Sequence, residues 1–111
     1  MIDRAIQTKK YKDCLEFTNE CLYFYYNTNI PVGAYEIFGD NYGRLIEWSS
    51  KKDNFYNSNV AVCVKNNGLN IGFIRDNLIF LLIANNRIIS LELDTANKIF
   101  DEVLTFSIKE I

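Results

Sequence analysis

Histidine is absent from the chain. Its absence removes the commonest general base and the commonest transition-metal ligand at once, and with them any Cys–His or Ser–His nucleophile pair. Cysteine occurs three times, at Cys14, Cys21 and Cys63, without the C-x-x-C spacing of a structural zinc site. Cys14 and Cys21 are seven positions apart on a predicted helix, about 10 Å along its axis, which is too far for a disulfide. Free and mostly buried thiols are expected. The longest apolar run, Leu78 to Ala84, is too short to span a bilayer, and MIDRAIQTKK at the start lacks the apolar core of a secretory signal. The expected location is therefore the cytoplasm, away from membranes. Basic residues form no run longer than Lys9-Lys10 and Lys51-Lys52, and the net charge is −2. A binder that tracks nucleic-acid phosphates needs a basic face, so direct nucleic-acid binding is not expected.

What is present describes one folded domain over residues 1–111. The length suffices for a single core and not for two. Apolar residues make up 49% of the chain, and one proline accompanies fourteen asparagines, which reads as compositional bias rather than disorder.

From Thr8 to Asn27, the positions Tyr11, Cys14, Leu15, Thr18, Cys21, Leu22 and Tyr25 follow the i, i+3, i+4, i+7 spacing of an amphipathic helix. Thr8 or Asp3 is the candidate cap, and NTNIP ends the helix because Pro31 cannot continue it. After Pro31 the chain turns to β-prone runs. AYEIF and RLIEWSS read as strands, with GDNYG and KKDNFYNSN as loops. Next come NVAVCVK and LNIGFIR, joined at Asn67-Gly68, a dipeptide suited to a type I′ turn. LIFLLIA and RIISLEL follow, through turns at RDN and Asn85-Asn86, and complete a four-strand antiparallel meander. DTANKIFDEVL fits either a short helix capped by Asp94 or a turn at Thr95 to Asn97. We favour one more hairpin, with Val103 to Ile108 as strand. The expected fold class is α+β: an N-terminal helix packed on a mainly antiparallel sheet of five to seven strands with a central β-meander.

Alternate strand residues face opposite sides of a sheet. Leu78, Phe80 and Leu82 define one face of LIFLLI and Ile79, Leu81 and Ile83 the other, so both are apolar. VAVCV is apolar on both sides as well. One helix covers one face, so the second needs the C-terminal segment, a folded-over sheet or another protein. The helix end CLYFYYN has the same shortage. Tyr23, Phe24, Tyr25 and Tyr26 advance by about 100° each, so one sheet cannot bury all four. Either loops wrap the helix or Tyr23, Phe24 and Tyr26 form an interface, where aromatics are enriched.

The glycine-flanked loop FGDNYGR lacks the G-K-[ST] of a P-loop and reads as a turn. Glu36, Asp40 and Glu47 fall near it, but nothing in the sequence brings two of them together as an acid–base pair. A rim of acids meeting a partner's lysines and arginines is the functional reading. Tyr42 and Trp48 would supply apolar anchors beside those charges, although Trp48 reads equally as a core residue. We expect no catalytic residue, metal or cofactor, and a non-enzymatic protein-binding role.

In length, mild acidity, LYFYYN, the stretch YEIFGDNYGRLIEW and the meander VCVKNNGLNIGFIRDNLIFLLI, the chain resembles small cytosolic immunity proteins of bacterial toxin systems, including contact-dependent growth inhibition. The resemblance implies tight binding to a cognate toxin, often a nuclease, by blocking its active site or substrate surface. Such a toxin would be basic and would face Glu36, Asp40, Glu47 and Asp53, with Tyr42 and Tyr56 providing the packing. A homodimer through the uncovered apolar surface is a further expected association. The rival readings are a phage-type inhibitor of a host defence protein and a small-ligand-binding domain with its pocket between helix and sheet.

Overall fold

The computed structural model describes residues 2–28, 30, 53–66 and 68–108. The strands read from AYEIF and RLIEWSS lie outside the described residues.

The N-terminal helix is two helices. α1 (Arg4–Gln7) is capped by Asp3, whose carboxylate accepts from Ala5 N–H at 2.8 Å. α2 (Cys14–Tyr26) begins afresh at Asp13, whose carboxylate accepts from Glu16 N–H at 2.8 Å. This corrects the expectation of one helix from Thr8. Asp13-x-x-Glu16 has the spacing of a capping box, and extended backbone at Asp13 starts a new helix there. Tyr11 is buried all the same, in the linker, with its hydroxyl donating to Ile6 O at 2.8 Å. α2 stops where expected. Asn27 adopts left-handed backbone, φ 52°, and donates to Tyr23 O at 3.1 Å.

The meander is present as β1 (Val60–Lys65), β2 (Gly68–Arg75), β3 (Leu78–Ile83) and β4 (Arg87–Leu91). Its first turn lies one residue earlier than expected. Lys65 pairs with Gly68 and Asn66 has φ 51°, so Gly68 already belongs to β2; Asn67 lies outside the described residues. The second turn is Asp76-Asn77, with φ of 55° and 62°, the type I′ geometry that matches strand twist. Asn85 and Asn86, at φ 62° and 57°, turn the third.

The expected final hairpin is instead helix α3 (Leu93–Ile99) followed by β5 (Glu102–Phe106). β5 pairs with β1, so the sheet order is β4-β3-β2-β1-β5 and every neighbouring pair is antiparallel. The chain must therefore pass from one sheet edge to the other, and a hairpin cannot make that journey. Leu93, Ala96 and Phe100 recur at helical spacing and pack on the sheet as it crosses. Asp94 sits in the first turn of α3 rather than at its cap, near the positive end of the helix dipole.

The crossing supplies most of the missing cover. Val60, Val62, Val64, Ile71, Phe73 and Phe80 face α2, against Leu15, Phe17, Cys21 and Leu22. Ala61, Cys63, Ile74, Ile79 and Leu81 face the other way, against Ala96 of α3 and Phe55 of a short 3-10 turn (Phe55–Asn57). Gly72 allows β3 to close over this second face, since a Cβ there would lie 2.5 Å from Leu81 Cδ2 and 2.7 Å from Phe80 O. The result is three layers, with α1 and α2 on one side and α3 on the other.

Candidate protein-interaction surface

α2 turns Leu15, Thr18 and Leu22 inward, and the same periodicity points its last turn outward. Thr18 is held at the sheet by its hydroxyl, 2.8 Å from Cys14 O and 3.2 Å from Ile71 O. That register settles the four aromatics. Tyr25 alone turns inward, stacking on Phe73 at 5.6 Å between ring centroids. Its hydroxyl accepts from Asp3 N–H at 2.7 Å, and Arg75 Cζ lies 4.1 Å from its ring centroid. Tyr23, Phe24 and Tyr26 remain 63%, 53% and 42% exposed.

Tyr26 leans on Phe73 at 5.7 Å, and burial raises its hydroxyl pKa, with Arg75 acting against the shift. It lines a groove of about 410 Å³ together with Tyr56, Ser58, Asn59 and Ile108. Among the described residues Tyr56 is the most exposed of the large apolar side chains, at 77%. Its backbone is fixed by the 3-10 turn, which Asn54 caps by accepting from Asn57 N–H at 3.1 Å. Phe55, buried below, meets the Tyr56 ring edge to face at 5.4 Å. The exposed ring thus stands on a rigid base, which lowers the entropy lost when a partner packs on it.

A second hollow, again about 410 Å³, lies beyond Tyr56 and is rimmed by Asp76, Glu92 and Asp94. All three acids are exposed. Arg75 pairs with Asp76 at 3.0 Å. The hollow thus joins an aromatic anchor to a set of carboxylates, a combination suited to a surface carrying lysine or arginine.

Among the residues singled out from sequence, Asp53, Tyr56, Tyr23, Phe24 and Tyr26 can be placed. Glu36, Asp40, Tyr42, Glu47 and Trp48 lie outside the described residues. Asp53 is tied to the β5 edge, its N–H donating to Thr105 O at 3.2 Å and its carbonyl accepting from Thr105 Oγ1 at 2.6 Å. Sequence reasoning missed Asp76, Glu92 and Asp94. Asp76 was visible as a turn residue, but only the crossing of α3 brings Glu92 and Asp94 beside it.

Among the described residues, no three His, Cys, Asp or Glu side chains cluster as a metal site, and no helix is long and apolar enough to cross a membrane. Comparison with protein-family models, with curated proteins and with solved structures finds no match to the chain.

Proposed function

We propose that this chain is a non-catalytic protein-binding module, and that its partner is a basic protein toxin which it binds and neutralises in the manner of an immunity protein. One observation carries the reading. Tyr23, Phe24 and Tyr26 in the last turn of α2 and Tyr56 in the 3-10 turn stay exposed although both faces of the sheet carry packed helices, and Tyr56 lines both the groove it shares with Tyr26 and the acid-rimmed hollow. Interfaces concentrate binding energy in aromatic anchors and use surrounding charge to guide encounter. The absence of histidine and the likeness of LYFYYN and the meander to small immunity proteins support the same reading. A nuclease, basic because it holds nucleic acid, is the toxin class that fits this charge best, and the cytoplasm is where such an inhibitor would act.

A kinetic measurement tests the role of the acids. Reversing Glu92 and Asp94 to lysine removes attraction at the rim, so association with the toxin should slow and its salt dependence flatten, with the off-rate little changed. Association rates equal to those of the parent at low salt would exclude this rim from the interface.

The groove lined by Tyr26 and Tyr56 favours one rival reading, a small planar ligand stacked on a tyrosine ring and hydrogen-bonded by Ser58 or Asn59. A ligand that binds only the folded state raises its melting temperature. A metabolite that does so, and fails to do so with Tyr56→Ala, would favour that class over toxin binding.

A further inference from the structure

The two edges of the sheet differ. Thr105, at the outer side of β5, is met by the backbone of Asp53 through hydrogen bonds of 3.2 and 2.6 Å. Among the described residues nothing comparable lies along β4. Its outward groups follow from the hairpin register. The two-residue turn makes Arg75 and Leu78 the closing hydrogen-bonded pair of β2 and β3. Alternation then directs the backbone of Ile79, Leu81 and Ile83 toward Leu91, Ile89 and Arg87. The N–H and C=O of Ile88 and Ser90 are left pointing away from the sheet. Donors and acceptors repeating every second residue are the template that an extended strand recognises. The usual protections are missing too, since RIISL holds no proline and its one charge, Arg87, is at the end.

We infer that β4 is a self-association edge, on which a second copy of this chain adds its own β4 antiparallel, with the two-fold axis at Ile89. Register, shape and charge on this strand all favour a second copy. In that register the outward residues become each other's partners, Ile88 opposite Ser90 of the second copy and the reverse, and both pairs exchange N–H and C=O bonds. Ile89 meets Ile89 of the second copy at the closer, non-hydrogen-bonded spacing. Ser90 is small and pairs with Phe80 on the α2 side of the sheet. A hollow of about 440 Å³ opens there, lined by Ile2, Gln7, Phe80, Ile88 and Ser90. Opposed residues of an antiparallel pair share a face, so Ile88 of the second copy projects into that hollow. Arg87 comes to the Leu91-Glu92 end of the second copy, where its charge meets an acid and not another arginine.

This dimer does not depend on the toxin reading, because it uses the sheet edge and leaves Tyr56 and the last turn of α2 free, sharing only Glu92 with the acid-rimmed hollow. Sedimentation of the full-length chain over a wide concentration range tests it. The parent should move from the mass of one chain toward that of two. Ser90→Lys fills the hollow at an exposed position and should hold the mass at one chain with an unchanged melting temperature. With Cys14→Ser as background, Ile89→Cys should give a reducible cross-linked dimer under mild oxidation, and Ser90→Cys several-fold less, because only position 89 faces itself. A parent that keeps the mass of one chain throughout, or a Ser90→Lys variant that dimerises as the parent does, overturns the edge. Cross-linking at position 90 equal to that at 89 overturns the register.

Discussion

Arg75 lies over the ring of Tyr25, its Cζ 4.1 Å from the centroid, while the same ring stacks on Phe73 at 5.6 Å. One of four consecutive aromatics is thereby fixed into the fold, while Tyr23, Phe24 and Tyr26 keep 63%, 53% and 42% of their surface exposed. Exposed changes that touch nothing structural usually stay within about 0.5 kcal/mol, whereas truncating a packed aromatic costs about 3 kcal/mol. Tyr23→Ser should therefore leave a denaturant melt unchanged, Phe24→Ser should lower its midpoint slightly by removing an edge-to-face contact with Tyr25 at 4.9 Å, and Tyr25→Ala should shift it clearly downward. Equal destabilisation by all three would mean that Tyr23 and Phe24 are structural, not interfacial.

The last described residues are held by a side chain imitating a strand. Asn59 Nδ2 donates to Ile108 O at 2.8 Å, and Ile108 N–H donates to Asn59 Oδ1 at 2.8 Å. Both residues are buried, and an unpaired buried polar group costs about 1–3 kcal/mol. Asn59→Ala should cost about 2–4 kcal/mol in a urea titration, since it orphans both backbone groups of Ile108. Asn59→Asp should cost at least as much, because its carboxylate replaces the donor facing Ile108 O. A cost below about 0.5 kcal/mol would show that water replaces the clasp.

Gly72→Ala should destabilise even though alanine suits a strand better than glycine. The new Cβ meets Leu81 Cδ2 at 2.5 Å and the Phe80 carbonyl at 2.7 Å. Leu81 can rotate, but the backbone carbonyl must move with its strand. Overpacking of this kind costs about 1–3 kcal/mol. Thermal unfolding would detect it, and an unchanged or raised midpoint would mean that β2 and β3 are not so closely apposed.

Alkaline pH should unfold the chain through its buried acids. Burial, with a smaller contribution from Glu20, pushes the Cys21 thiol from 9.0 up to about 12, and burial pushes Cys63 to about 12 as well. Tyr11 rises from 10.0 to about 12, again mainly through burial. A group whose folded pKa is raised contributes its full stability below its unfolded pKa and loses it as pH climbs toward the folded value. Stability should thus be flat up to about pH 8.5 and fall steadily between about pH 9 and pH 12. In the native protein at pH 8, Cys21 and Cys63 should also resist alkylation that modifies them at once in denaturant. Rapid modification of Cys63 in the folded state would contradict its placement between sheet and α3.

Much of this fold was legible because its signals are local. The meander declared itself through alternating apolar runs and asparagine turns, and both apolar faces of LIFLLI were visible before any cover was known. What escaped depends on distant partners. The D-x-x-E cap at Asp13 lay inside an unbroken helical pattern, so periodicity ran across it. The helix at Leu93 lost to a hairpin in the sequence because the β-branched VLTFSI drew the segment toward strand, and only the pairing of β5 with β1 requires a crossing. The asparagines read as compositional bias have particular duties. Five hold left-handed backbone at turns or caps, at 27, 66, 77, 85 and 86, and Asn86 also clasps Tyr11 by hydrogen bonds of 2.6 and 3.1 Å. The acid-rimmed hollow was illegible for the same reason as the crossing, since Asp76 and Asp94 are brought together only by tertiary structure.

The most direct test of the central claim is co-purification from native cells, comparing the tagged parent with a Tyr56→Ser, Phe24→Ser variant by light scattering and mass spectrometry. The parent should elute with a stoichiometric basic protein whose toxicity it suppresses, and the variant, shown to be folded by its melt, should elute without that protein and give no protection. A partner retained by the variant at parental stoichiometry, or a parent that carries no partner at all, would contradict it.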